Sequence, residues 1–144
     1  MIGTIDGKKT LAKIAQSGLK ESIHLTGYRT DAPQVLAACD ACILPATKRE
    51  GLPKAIIEGM VYRVTPIVTK TGGNPGLVEH GVSGLVIETG SAAAISEAIL
   101  QLAGNPQQNA KMGVAAQARI QRDFNTVTTV EQTLDLYREL LDQG

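Results

Sequence analysis

Residues 49–60 read Arg49-Glu50-Gly51-Leu52-Pro53-Lys54-Ala55-Ile56-Ile57-Glu58-Gly59-Met60. Two carboxylates, Glu50 and Glu58, flank a glycine turn and the start of a short apolar helix. Gly51 lets the backbone turn sharply, and Pro53 suits the first helical position, where its missing N–H costs nothing. Ala55, Ile56, Ile57, Met60 and Val61 then make an apolar stripe for a sheet to cover. The pattern predicts a turn feeding a helix, with Glu50 at the loop tip and Glu58 about a turn and a half inside the helix. A helix entrance under a glycine turn is suited to an anion, because unpaired N–H groups and the positive end of the dipole point outward. Acids beside an anion site make sense when the ligand also carries hydroxyls. A nucleotide-sugar has both parts, a diphosphate for the amides and sugar or ribose hydroxyls for the acids.

The sequence on either side alternates strands and helices. Upstream, Met1-Ile2-Gly3-Thr4 reads as a strand end and Asp6-Gly7 as a turn. Leu11, Ile14 and Ala15 mark a helix closed by Ser17-Gly18, and Ile23 and Leu25 a strand ending at Gly27. Tyr28-Arg29-Thr30 is a loop, and Asp31 caps a helix containing Pro33, Val35 and Leu36. Asp40 to Leu44 is an apolar run of strand length ended by Pro45, suited to burial on both faces. Downstream, Thr65 to Thr69 is a strand. Lys70 to Pro75 makes a second glycine turn, at Gly72-Gly73, into a short helix with Leu77 and Val78. Gly84 to Ile87 is the last strand. This order predicts a parallel sheet wound with helices on both faces, with ligands at the carboxyl ends of strands. Both glycine turns lie at such ends.

After Glu88 only helices are read: Ala92 to Leu102, Gln107 to Asp123 and Thr126 to Leu141. Val127, Val130, Leu134, Tyr137, Leu140 and Leu141 are spaced for one buried face of the last. The fold class is therefore α/β: a Rossmann-like parallel sheet with helices on both faces, closed by three C-terminal helices, over a single domain at 1–144.

Composition removes several function classes. The 14 basic and 14 acidic residues cancel, and without a basic stripe a nucleic-acid partner is not expected. Apolar residues make up 43%, yet no apolar run approaches the roughly 20 residues of a membrane span, and no signal peptide is read. Cys39 and Cys42 form a C-x-x-C, but no second pair or nearby histidine completes a metal site. They read as two reduced structural thiols of a cytoplasmic protein. A dinucleotide-binding dehydrogenase needs G-x-G-x-x-G after its first strand, and no such run occurs. His24 and His80 read as structural residues.

Four local matches, in order and spacing, resemble the C-terminal half of a family-4 (group 1) retaining glycosyltransferase of GT-B architecture. Glu50 and Glu58 stand with seven residues between them, like the family's E-x7-E. Thr65-Pro66-Ile67-Val68 resembles its P-V-I strand. Gly72-Gly73-Asn74-Pro75, then Leu77-Val78 and Gly81-Val82-Ser83-Gly84-Leu85-Val86, resembles its G-G-x-P-E-x-V and G-x-x-G-L-x-V segments. Phe124 to Leu141 resembles its closing aromatic and helix.

The resemblance implies a donor-nucleotide-binding domain that transfers a hexose from a UDP- or GDP-sugar. No cofactor or metal is implied, since no D-x-D-like pair occurs. Glu58 would hold the ribose hydroxyls, and Glu50, the catalytic candidate, a hydroxyl of the donor sugar. Gly51, Leu52, Lys54, Gly72 and Gly73 would face sugar and diphosphate, and Gly27, Tyr28 and Arg29 the base. It also implies an N-terminal acceptor domain and a first strand with phosphate-holding bases, both absent from this chain. The isolated chain is therefore expected to bind a donor weakly and to transfer nothing. The alternative is a non-catalytic nucleotide-binding or assembly module on the same fold. Self-association through the last helix, and peripheral membrane association of the full enzyme, are the further partners expected.

Three positions depart from the family pattern. Gly59 replaces a helical alanine, at a cost of roughly 0.5–1 kcal/mol. Arg63 replaces a helix-ending glycine, so that turn is expected to differ. Gly76 replaces the glutamate of P-E.

Overall fold

The computed structural model describes residues 8–142. The chain folds into two compact units, Met1–Val35 and Leu36–Gly144. The strand end expected at Met1–Thr4 and the turn at Asp6-Gly7 lie outside the described residues.

In the first unit, helix α1 (Lys8–Gln16) ends where the sequence predicts. Ser17 Oγ donates to the Ile14 carbonyl at 2.8 Å and accepts from the Leu19 amide at 3.1 Å. A 3-10 turn follows at Lys20–Ser22. The strand expected around Ile23 and Leu25 is not formed, and residues 23–26 run outside any strand. Gly27, where that strand is expected to stop, stands in an isolated bridge; alternating apolar residues supply a strand's faces, whereas the strand itself is a continuous hydrogen-bonded ladder. Asp31 also behaves differently from expectation. Its carbonyl accepts from Gln34 and Val35 at the start of α2 (Ala32–Leu36), while its carboxylate turns back to Arg29.

The second unit holds a three-stranded parallel sheet, β1 (Ala41–Leu44), β2 (Thr65–Thr69) and β3 (Leu85–Ile87), in that spatial order. Ile43 pairs with Ile67, and Ile67 with Leu85. Every residue of the central strand β2 is buried. Its alternation decides which face each residue serves. Val68 packs with Cys42, Ile56, Met60, Val64, Ala116 and Ile120, contributed by β1, α3 (Lys54–Val61) and α6 (Pro106–Asp123) among others. Ile67 points the other way, into Leu85, Ala98, Leu102 and Met112, from β3, α5 (Ala92–Gly104) and α6. Both faces of the sheet are thus covered, as the alternating order predicts. Between β2 and β3 lies the single turn of α4 (Asn74–Leu77).

Capping fixes the helix boundaries. Ser91 Oγ accepts from the Ala94 amide at 3.1 Å to start α5, and Asn105 Oδ1 from the Gln108 amide at 3.0 Å to start α6. Asn125 Oδ1 accepts from Thr128 at 2.8 Å to start α7 (Thr126–Asp142). Each such cap contributes about 1 kcal/mol.

The last helix departs from expectation most. No residue of α7 is buried; Val127 is 66% exposed, Tyr137 59% and Leu141 80%. Periodicity reports that a helix has an apolar face, not that the same chain covers it. Among the described residues, no helix is long and apolar enough to cross a membrane.

Two of the three departures from the family pattern find a physical reason here. Gly59 is buried, and a Cβ built on it would lie 2.7 Å from Cys42 Sγ. The glycine gives space to the sulfur, and burial pushes the Cys42 thiol up to about 12. Cys42 is therefore packing, not redox chemistry. Arg63 keeps the turn that the glycine would make, standing at φ 63°. The left-handed region costs a non-glycine residue roughly 1–2 kcal/mol. Its Nε donates to Gln117 Oε1 at 2.8 Å, which ties the strained residue to α6.

The Gly59–Cys42 fit yields a double-mutant cycle. Gly59→Ala alone is expected to lower unfolding free energy by about 1–2 kcal/mol through overpacking. Combined with Cys42→Ala, most of that loss should return in urea denaturation. Strict additivity, within about 0.5 kcal/mol, would show that the two positions do not share space.

Candidate functional site

The two glycine turns meet at the carboxyl ends of β1 and β2. After β1 the chain passes Pro45 and Ala46 into the loop carrying Glu50 and Gly51, and Pro53 then leads into α3. Pro53 is the N-cap rather than the first helical residue, with no side chain capping the first turn. After β2, Thr71-Gly72-Gly73 turns into α4. Thr69 Oγ1 donates to the Ala46 carbonyl at 2.7 Å, tying the end of β2 to the first loop. The Gly73 amide donates to the Glu50 carbonyl at 2.9 Å.

The contact is closer than any side chain permits. A Cβ on Gly72, which stands at φ +56°, would lie 2.0 Å from the Glu50 carbonyl oxygen; on Gly73 it would lie 2.2 Å from that of Gly51. Backbone therefore rests directly on backbone, and only glycine at 72 and 73 allows it. Asn74 completes the turn from inside. It is fully buried, and its Nδ2 donates to the Thr69 carbonyl at 3.0 Å. Among the described residues its Oδ1 has no hydrogen-bond partner.

Around this joint the predicted residues divide into two groups. Glu50, Gly51 and Leu52 are exposed on the loop, Leu52 by 55%. Lys54 and Glu58 follow on α3, one helical turn apart, with Lys54 Nζ 3.6 Å from Glu58 Oε1. The lysine side chain is 89% exposed and the glutamate 29%, so the pair is a weak, solvent-screened one. Lys54 thus neutralises Glu58 without committing itself. Gly72 and Gly73 form the second wall.

Gly27, Tyr28 and Arg29 belong to the first unit. Gly27 stands at φ +65°, Tyr28 is 84% exposed, and the Arg29 guanidinium grips Asp31 with two hydrogen bonds. That fork raises the guanidinium's pKa and holds the Asp31 carboxyl below its usual range.

The larger cavities lie elsewhere. One of about 430 Å³ is lined by Asp40, Ala41, Ile43, Leu102 and Asn109, at the opposite, amino end of β1. It is mostly apolar and carries none of the predicted residues. The glycine joint lines none of these cavities; it presents the backbone of two turns at the ends of β1 and β2. Among the described residues no group of three or more His, Cys, Asp or Glu comes together as a metal site would require.

The family model for glycosyl transferases group 1 matches residues 1–119 of this chain. The chain belongs to that family. Among solved structures, the Anabaena protein HepE in complex with UDP superposes on 96% of the chain with a TM-score of 0.87 and 30% identity. Its complex with UDP-glucose gives a TM-score of 0.82. The C-terminal domain of a group 1 family protein from Francisella tularensis shares the fold over 83% of the chain, with a TM-score of 0.73 and 20% identity. In sequence, the chain is 31% identical over 123 residues to the Escherichia coli UDP-Gal:alpha-D-GlcNAc-diphosphoundecaprenol alpha-1,3-galactosyltransferase. That match covers 85% of the chain and 31% of the enzyme. The chain spans about a third of the curated relatives it matches, and 40% of HepE.

Sequence reasoning missed Thr69 and Asn74, whose side chains tie the end of β2 to the loop after β1 and to the start of α4. A threonine closing a buried strand is a weak signal that a carbonyl lies within its reach.

The joint makes a selective prediction. Gly73→Ala is expected to cost about 1–3 kcal/mol in urea unfolding, because carbonyl and methyl cannot share the space. Gly51→Ala, with nothing within 4 Å of the added carbon, should stay within about 0.5 kcal/mol of wild type. Equal losses at both positions would mean that the close approach is not what holds the loop.

Proposed function

We propose that the chain is the donor-binding half of a retaining glycosyltransferase, taking a UDP- or GDP-sugar. One observation carries this reading: the Gly72-Gly73 turn is seated on the Glu50-Gly51 loop, beside the uncapped entrance of α3, which bears Glu58. Amides and a helix entrance suit a diphosphate, and the exposed Glu50 and half-buried Glu58 carboxylates suit hydroxyls. The printed ligands of HepE, UDP and UDP-glucose, and the UDP-galactose donor in the name of the E. coli relative support a uridine nucleotide.

In this reading Glu58 accepts hydrogen bonds from the ribose hydroxyls. Glu50 orients the donor sugar through one of its hydroxyls as the bond to the diphosphate breaks. Gly51, Leu52, Gly72 and Gly73 present backbone to sugar and phosphate, and Lys54, mostly solvent-exposed, adds positive charge at the rim. Stabilising the leaving diphosphate would be the largest catalytic term. In this reading transfer requires a second, acceptor-binding domain, and the isolated chain binds without turning over. The exposed stripe of α7 supports cover by that domain or by a second copy of the chain. A cytoplasmic setting fits the absence of a Cys39–Cys42 disulfide.

Isothermal titration of the chain with UDP tests the reading. Glu58→Ala is expected to weaken binding about ten- to a hundredfold, the loss of one or two charge-assisted hydrogen bonds. Undetectable wild-type binding at millimolar UDP, or an unchanged affinity in the variant, would remove Glu58 from the donor site.

A further inference from the structure

Arg119, on α6, engages two backbone carbonyls, two carboxylates and an aromatic ring. Its Nε donates to the Leu77 carbonyl at 2.9 Å and its Nη2 to the Gly76 carbonyl at 2.8 Å. Its Nη1 lies 3.4 Å from Asp123 Oδ2 and 3.8 Å from Glu79 Oε2. The guanidinium also sits 5.9 Å from the centre of the Phe124 ring. Gly76 and Leu77 are the last residues of α4, so the fork satisfies carbonyls that a helix end otherwise leaves without a donor.

A single turn of helix has no stability of its own. Where α4 lies is set by what holds its two ends. Arg119 holds the C-terminal end. The other end begins at Gly73, whose amide donates to the Glu50 carbonyl and whose Cα rests against Gly51. Displacing one end of so short a rod displaces the other. The guanidinium is neutralised by Glu79 and Asp123, and its fork reaches the backbone carbonyls.

We propose that Arg119 is a positioning residue for the donor site, acting through α4 to set the Gly72-Gly73 turn against the Glu50-Gly51 loop. Its effect on nucleotide affinity rests on the donor-binding reading; its effect on the turn does not.

Two measurements on the full chain test it: UDP affinity by calorimetry, and hydrogen exchange of the Gly73 amide relative to the amides of β2. Arg119→Met keeps the aliphatic stem and removes the fork. It is expected to raise the UDP Kd about five- to tenfold and to speed exchange at Gly73 while β2 stays protected. Lys111→Met serves as the control from the same helix. Lys111 is exposed on α6, so both readouts should stay at wild-type values. Arg119→Lys, which keeps the charge without the fork, should fall between wild type and methionine. Wild-type exchange at Gly73 in Arg119→Met overturns the proposal, as does parallel acceleration of Gly73 and β2, which would mark a loss of overall stability only. If wild type binds no UDP but Gly73 alone loses protection, the donor reading fails and the positioning role stands.

Discussion

The backbone of Gly72-Gly73 lies on the backbone of Glu50-Gly51 with no room for a single methyl group between them. This is a steric constraint before it is anything else. It requires two parallel strands to end side by side, and two turns to leave them in directions that cross. The 2.9 Å hydrogen bond from Gly73 to Glu50 then fixes the height of one turn on the other. Two loops become one surface, which carries Glu50, Gly51, Gly72 and Gly73.

The rest of the second unit keeps those strand ends in register. β2 is buried along its whole length, with Val68 and Ile67 feeding separate apolar clusters on its two faces. Helix α3 packs Ile56 and Met60 into the first cluster, and Glu58 on the same helix is half-buried beside Lys54. Gly59 shows how closely this is fitted, since the Cys42 thiol occupies the space of an ordinary helical methyl. Arg119 closes the arrangement from α6 by holding the far end of α4.

Much of this was legible in the sequence, for identifiable reasons. The three strands of the second unit and the glycine turns at their ends follow from apolar runs bounded by Gly and Pro, because those residues act locally; burial on both faces holds for β2 but not for β1, where Ile43 is exposed at the outer position of the sheet. The E-x7-E spacing and the G-G turn pointed to one edge of the sheet for the same reason. What failed depended on distant partners. The alternation at Ile23 and Leu25 could not report a ladder. The stripe on α7 could not report that nothing in its own unit buries it. Gly59 read as a cost until the Cys42 sulfur appeared beside it, and Arg63 read as a broken turn although the backbone keeps its left-handed form. Arg119 carries no local signature, because its partners are carbonyls some forty residues away.

The central claim is that the glycine joint and the entrance of α3 form one nucleotide-binding surface. Amide-resolved NMR of the chain during titration with UDP addresses it most directly. Saturable shifts are predicted to cluster at residues 50–58 and 71–74, with the cavity at Asp40 and Asn109 unmoved. Shifts centred on that cavity, or scattered without saturation, would contradict it.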